Sequence, residues 1–452
     1  MAPTIRFSET VLREHALAIW SAAVEAVRPE PLVAAAVLDF PTAWQAALRA
    51  APRVLVVGCG KAGAAMAAGL ETGCEQYLPK LSGLVNVPEG STRLLQRLRL
   101  NPARPAGSNH PTAAGVAGAD EMLELLAGAG PDDVAICLIS GGGSALLPAP
   151  AHGITLEDKQ AVTKLLHASG ATIAEMNAVR KHLSRVKGGR LAAAFRGKLL
   201  VSLIISDVVG DPLDVIASGP TAPDPSTFAD ALGVIKKYGL TGKVPASVSR
   251  LLERSGDKGE PETLKEQPPH VHNLVIGNNA VALAAAARRA GELGYGVLNL
   301  GAFIEGETRE VAAVVVGIVR SIRSNGQPLA MAACLLIGGE TTVVLGDQPG
   351  LGGRNQEFVL AALNRLGTEH MLGVCVLSGG TDGEDGPTDA AGAVATIETL
   401  TRASAQSLSP REYLDRHDSY SFFDRVDGLI RTGLTDTNVT DIRVVLVTQL
   451  DA

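Results

Sequence analysis

Apolar runs that stop abruptly in glycine constrain this chain more than any other feature. Val54-Leu55-Val56-Val57 runs into Gly58-Cys59-Gly60-Lys61, and Ile136 to Ile139 into Ser140-Gly141-Gly142-Gly143-Ser144. Leu335 to Ile337 runs into Gly338-Gly339-Glu340-Thr341, and Leu372 to Leu377 into a glycine-rich loop carrying Asp382, Glu384, Asp385 and Asp389. Short apolar runs bounded by turn-forming residues read as buried strands, and strands buried on both faces belong to parallel sheets covered by helices. In such sheets the carboxyl ends of the strands form the ligand crevice, where glycines let backbone N–H groups come close to an anion. Four endings of this kind in one chain favour a polyphosphate ligand.

Further strand candidates are Gly83 to Val87, Val134 to Ile139 and Leu199 to Ile205. They alternate with alanine-rich helical stretches, after a first helix from about Val11 to Val27. This alternation implies a doubly wound parallel sheet. Thr241 to His270, with Gly256-Asp257-Lys258-Gly259-Glu260-Pro261 and Pro268-Pro269, is polar and turn-forming, so the domain boundary is expected there. The division is a first domain over 8–245, a linker over 246–270 and a second α/β domain over 271–450. Strands are expected there at Asn273 to Ile276, Gly296 to Leu300, Ala332 to Ile337, Leu372 to Leu377 and Ile442 to Val447.

A length of 452 residues with 46% hydrophobic content suits two or three domains. The net charge of -7 without a long basic run argues against nucleic acid. Charged residues from Arg6 to Glu14 interrupt any signal segment, and no run reaches membrane-helix length, so the cytoplasm is the expected compartment with no membrane partner. The five cysteines have no CxxC spacing and read as reduced and mostly buried.

Gly58-Cys59-Gly60-Lys61-Ala62-Gly63 fits GxGxxG between a strand and a helix. The acid that a dinucleotide site requires after the second strand is represented only by Glu89, and a lysine inside the loop suits a transferring phosphoryl group better. A tight turn with a solvated lysine is the plain alternative. Ser140 to Ser144 offers consecutive backbone donors and two hydroxyls for phosphate oxygens, or is a flexible turn. Asp207, after the apolar run to Ile205, could bind Mg²⁺, accept a hydroxyl proton, or cap a helix. Arg180, Ser184 and Lys187 stand at i, i+4 and i+7, the spacing of a solvated basic helix face. His110 sits in a turn and could carry a proton, but a lone histidine is more often structural, so it stays outside the catalytic candidates. Arg354, after Gly350-Leu351-Gly352-Gly353, suits bidentate recognition of phosphate or carboxylate, or simply starts a helix. Asp382, Asp385 and Asp389 supply more negative charge than a turn needs, which points to Mg²⁺ or, more plainly, to a hydrated acidic loop.

Together these motifs resemble the glycerate 2-kinase family, which joins a glycerate-kinase N-terminal domain to a MOFRL domain. The resemblance rests on VGCGKAG (Val57 to Gly63), NHPTAAG (Asn109 to Gly115), LISGGGSALLPAP (Leu138 to Pro150) and GITLEDKQAVTKLL (Gly153 to Leu166). It continues through RKHLSRVKGGRLA (Arg180 to Ala192), SDVVGDPLDVIASGPTAPDPSTF (Ser206 to Phe228), GGRNQE (Gly352 to Glu357) and SGGTDGEDGPTDAAG (Ser378 to Gly392). One departure is Thr432-Gly433-Leu434-Thr435-Asp436-Thr437-Asn438-Val439, where the family usually has TGPTGTNV. The resemblance implies a Rossmann-like doubly wound N-terminal domain, a second α/β domain with its MOFRL region at about 330–448, and a cleft between them. It implies ATP- and Mg²⁺-dependent phosphorylation of D-glycerate on the 2-hydroxyl, giving 2-phosphoglycerate. A homodimer is one assembly open to such a chain, whose oligomeric state the sequence leaves open. Lys61, Arg354 and Asp207 take the catalytic positions. Gly58, Gly60, Ser140, Gly141, Gly142, Gly143, Ser144, Gly339, Glu340 and Thr341 are the nucleotide or phosphate candidates; Asp382, Asp385, Asp389 and Asn355 are the substrate or metal candidates. The competing readings are an NAD(P)H-dependent hydroxypyruvate reductase and a nucleotide sensor without turnover.

Overall fold

The computed structural model describes residues 8–105, 110–254, 261–346 and 348–449. Asn109 and the turn at 256–260 lie outside the described residues. The chain forms two compact units, one over Pro29–Ile276 and one that combines the segment through Arg28 with the chain from Gly277 onward.

The first unit is built on β1 (Val54–Cys59), β2 (Leu81–Pro88), β3 (Leu98–Arg104), β4 (Val134–Ile139), β5 (Leu199–Ile205) and β6 (Val271–Gly277), in the sheet order β3-β2-β1-β4-β5-β6. β1 runs parallel to β2 and β4, β2 to β3, and β4 to β5. Every residue of β1, β4 and β5 is buried. Helices cover both faces of such a sheet, which is why these strands are apolar nearly throughout, with Ser202 in β5 the one hydroxyl, and show no polar alternation. Leu55, Val57, Cys137 and Ile139 meet Met122, Leu126 and Phe195 in one apolar cluster. β3 escapes a search for apolar runs because it is an edge strand, half exposed, with Pro102 tolerated where fewer ladder hydrogen bonds are needed.

The boundary differs from the expected one. The strand expected to open the second domain is β6, at the edge of the first sheet. The stretch read as a linker contains the helix Ala246–Glu253, whose Val248 and Leu252 are buried with Phe228, Val234 and Ile235. Leu264 N donates to Gly188 O at 2.9 Å. Polar composition here marks a surface helix and a packed loop, and the chain leaves the unit only after β6.

The second unit has β7 (Gly296–Asn299), β8 (Gly306–Glu307), β9 (Ala333–Gly339), β10 (Thr341–Thr342), β11 (Val374–Gly380), β12 (Gly392–Ala395), β13 (Leu429–Ile430) and β14 (Asp441–Val447). Its main sheet runs β13-β12-β11-β14-β9-β7, while β8 and β10 pair as a separate short ribbon. It is mixed: β11 is antiparallel to β12 and β14, β14 is antiparallel to β9, and β7 is parallel to β9. The first helix, Glu9–Glu25, belongs to this unit, and Trp20 Nε1 donates to Gly379 O at 3.2 Å. All five cysteines are buried and unpaired, and no single described helix is long and apolar enough to cross a membrane.

Candidate active site

The strand order reverses direction between β1 and β4, and two of the glycine loops leave these adjacent strands side by side. The loops interlock: Lys61 N donates to Gly141 O at 2.8 Å, and Ala62 N to Ser140 Oγ at 3.1 Å. Gly60 has φ +145°, and a Cβ there would stand 2.0 Å from Ser140 Oγ and 2.8 Å from its backbone N and O, so only glycine allows this approach. Three charged side chains converge on the tip of the second loop. A Cβ on Gly142 would come within 3.2 Å of an Arg104 terminal nitrogen and 3.3 Å of Lys61 Cγ, and one on Gly141 within 2.2 Å of Asp207 Oδ2. Gly58 and Gly143 hold the adjoining backbone, where an added Cβ would strike Leu138 O and Ala217.

Arg104 was not foreseen. It ends β3 and is 2% exposed; its Nε has no hydrogen-bond partner among the described residues, and burial lowers its pKa. The only signal was an arginine at the carboxyl end of an edge strand too polar to be read as one.

The basic face of Arg180, Ser184 and Lys187 is not solvated, contrary to expectation. The helix Ile173–His182 stops before Ser184, so the continuous helical face that the spacing implied does not exist. Lys187 is 2% exposed. Its Nζ donates to Ser144 O at 3.0 Å, to Ser218 Oγ at 3.2 Å and to Ser144 Oγ, while Arg180 donates to the same Ser144 Oγ at 2.5 Å.

In the second unit Arg354 opens the helix Arg354–Met371. Its Nε and one terminal nitrogen donate to the two oxygens of Asp441 at 2.7 and 3.1 Å, and its other terminal nitrogen meets Glu340 at 2.8 Å. Burial alone would lower the Arg354 pKa, but Asp441 and Glu340 raise it. Burial raises the Glu340 pKa, with Asp441 and Asp382 adding to the rise against Arg354. Asp385 gives its two oxygens to the backbone N–H groups of Asn355 and Gln356 at 3.0 and 2.9 Å, tying the acidic loop to the start of this helix. Its pKa is pushed up to about 6 by burial, which those hydrogen bonds oppose. Asn355 donates to Asp441 at 2.9 Å and accepts from Ser378 Oγ at 2.6 Å. Thr341, beyond Gly339, accepts from the buried Arg443 at 2.8 Å. Asp382 accepts from Glu384 N at 3.2 Å, and the exposed Asp389 accepts from Tyr420 and Arg431 at 2.7 and 3.2 Å. Among the described residues no group of three or more His, Cys, Asp or Glu is arranged to hold a metal. Asp441 was also missed: an acid at the head of the strand IRVVLV reads as solvent-facing until Arg354 is seen against it.

Residues 15–253 match the family described as Domain of unknown function (DUF4147), and residues 333–441 match the MOFRL family. The chain is 41% identical to the glycerate 2-kinase of Pyrococcus horikoshii over 88% of each protein, and 38% identical to the glycerate kinase of Rattus norvegicus over 97% of this chain and 94% of the relative. It belongs to the glycerate kinase family. A relative from Agrobacterium vitis that carries a hydroxypyruvate reductase label is 42% identical over 87% of each protein. The crystal structure of the Thermotoga maritima glycerate kinase superposes with a TM-score of 0.84, at 35% identity over 97% of this chain and all of that one.

Within this glycerate kinase family fold, the sequence candidates fall into two sets. Lys61, Asp207 and the loop Ser140 to Ser144 gather at the β1/β4 crevice of the first unit. Glu340, Thr341, Arg354, Asn355 and Asp385 form one polar network in the second, while Asp389 lies outside that network, on the exposed Arg431 and Tyr420.

Proposed function

We propose that this protein transfers the γ-phosphoryl group of ATP to the 2-hydroxyl of D-glycerate, giving 2-phosphoglycerate and ADP. The observation that carries the reading is the convergence of Lys61, Arg104 and Asp207 on Gly141-Gly142, at the crevice where open α/β sheets take their ligands. The hydroxyl oxygen forms the new bond to phosphorus, the bond from phosphorus to the β,γ-bridging oxygen breaks, and ADP leaves with that electron pair. Charge on the transferring group is spread over its equatorial oxygens, so fixed donors supply most of the stabilisation. Lys61 and Arg104 offset that charge, and the backbone of Ser140 to Ser144 positions the phosphates. Arg354 is paired with Asp441 and Glu340, and it binds a substrate anion by exchanging Glu340, the more exposed partner and the one whose raised pKa favours release.

Mg²⁺ fits the donors present on one observation: Gly141 leaves a cradle against Asp207 Oδ2 that a Cβ would fill. Asp207 would hold the ion together with phosphate oxygens and water, and the ion would neutralise phosphate charge. Asp207 is equally placed by chain position to take the hydroxyl proton. D207N separates the roles: a loss of about a hundredfold in kcat that added Mg²⁺ restores identifies the ligand, and one that no Mg²⁺ concentration restores identifies the proton acceptor.

The reductase reading has less support. β2 ends in Asn86-Val87-Pro88, where Asn86 is buried and donates to Gly115 O and Leu146 O, and Glu89 beyond it is exposed. The acid adjoining the strand end is thus a solvent-exposed Glu89, and the buried side chain there, Asn86, is neutral, a poor match to a carboxylate set to receive a ribose. The deciding experiment supplies D-glycerate, ATP and Mg²⁺ and couples product to enolase with and without phosphoglycerate mutase, with hydroxypyruvate plus NADH run in parallel. Enolase signal without mutase is expected; a mutase-dependent signal moves transfer to the 3-hydroxyl, and NADH oxidation alone overturns the kinase reading.

A further inference from the structure

We propose that Lys159, Arg180, Lys187 and Ser144 form a binding site for a phosphate group, on the wall of a cavity of about 750 Å³ in the first unit. The argument begins with charge that the fold leaves uncompensated. Lys187 is almost completely buried, yet its ammonium meets only neutral acceptors, Ser144 O, Ser144 Oγ and Ser218 Oγ. Arg180 reaches the same Ser144 hydroxyl. The Nζ of Lys159 is buried with no hydrogen-bond partner among the described residues. None of the three has an ion pair there, whereas the neighbouring Lys181, equally buried, is held by Asp214 and Asp224 at 3.1 Å each.

Lys181 shows how this fold neutralises a lysine it buries for structure. Burying a charge without a partner costs several kcal/mol, so three basic side chains facing one cavity, none of them ion-paired to Glu157, the carboxylate on its wall, are costly for the empty protein. An anion seated among them removes the cost. Burial and mutual repulsion hold Lys159 down to about 7 and Lys187 well below its ordinary value, the electrostatic mark of a site short of negative charge. A carboxylate would leave most of the positive charge unmet, whereas a phosphate group carries up to two negative charges and several acceptor oxygens. Ser144, on the cavity wall, also closes the glycine loop whose tip adjoins Lys61, so the cavity shares that loop with the crevice of the first unit. The phosphate belongs either to the nucleotide or to the phosphorylated product. That choice of source rests on the kinase reading; the existence of the site does not.

The test measures binding of inorganic phosphate, ATP and 2-phosphoglycerate to the full chain and to the variants R180Q, K159M and K187M, by calorimetry and by ligand-induced shift of the melting temperature. All three ligands are expected to bind the wild type, and each variant is expected to weaken inorganic phosphate at least tenfold. A parallel loss confined to ATP assigns the site to the nucleotide, and one confined to 2-phosphoglycerate assigns it to the product. Unchanged affinity for all three ligands in both R180Q and K159M overturns the proposal, and these two half-exposed positions decide it if K187M does not fold. Binding through these residues without glycerate turnover sinks the kinase reading alone. Normal turnover and binding in all the variants sinks this inference alone.

Discussion

At the scale of single residues, what matters is which charges have partners. Lys61 and Asp207 were legible because each sits in a loop whose local pattern, apolar strand then glycine, already marks a crevice. Arg104, Lys187 and Asp441 were not, because their meaning depends on groups far along the chain: Asp441 is paired with Arg354 across 87 positions, and Lys187 with Ser144 across 43. K61A and R354A are each expected to lower kcat/KM more than tenfold, about 1.4 kcal/mol of transition-state stabilisation, and a smaller loss removes the residue from the catalytic set. Lys159 yields a prediction about stability. Its folded pKa, lowered to about 7 by burial and then by Arg180, Arg185 and Arg190, lies below the ordinary 10.5. Between those values the unfolded chain binds more protons than the folded one, so stability rises with pH across this window, and the full cost is present below it. K159M should therefore gain most over wild type at or below pH 7, up to about 4 kcal/mol, with the advantage fading toward pH 10. Urea unfolding followed by Trp44, which lies in the same unit, reads the difference; equal advantage at both pH values would remove Lys159 from the uncompensated set.

At the scale of elements, the parallel strands are legible because burial on both faces leaves almost no polar positions, Ser202 being the exception across β1, β4 and β5. Elements with one wet side are not. β3 lacks an apolar run to mark it, and Arg180 to Lys187 has the spacing of a helical surface although the helix ends at His182. Glycines at strand ends are expected to let an anion come close to the backbone; at Gly60 what comes close is protein, the second phosphate-loop candidate itself. The interlock makes a specific prediction for G60A. Ser140 Oγ can rotate away from a new Cβ, but its backbone N and O at 2.8 Å cannot, and φ +145° disfavours any side chain. G60A is expected to cost about 2 kcal/mol or more in stability and to weaken ATP binding at least tenfold. S140G, which relieves only the hydroxyl clash, should not restore either when combined with it; full restoration by the double variant would show that the backbones are not in contact as described.

At the scale of the whole molecule, two α/β bodies are legible in the sequence but their limits are not, since one body is discontinuous in the chain. The second unit takes its first helix from the opposite end of the chain, and no local pattern in Glu9–Glu25 says which sheet it will cover. That helix packs on β11, β14 and the helix Asn279–Glu292, burying Leu12, Ile19, Trp20 and Val24. Thr437 Oγ1 also donates to Val27 O at 2.7 Å. At about 2 kcal/mol for each large side chain, losing it removes stabilisation comparable to the entire folding free energy of an ordinary domain. A fragment beginning at Gly277 is therefore expected to lack cooperative unfolding, and fusing residues 8–28 to it through a flexible linker should restore it. Trp20 is then the only tryptophan present, so a blue-shifted emission that moves red in one cooperative urea transition reports the repaired unit directly. If the fragment from Gly277 unfolds cooperatively without residues 8–28, at the same midpoint as the fusion, the helix is an appendage and the unit is the continuous domain that the sequence first suggested.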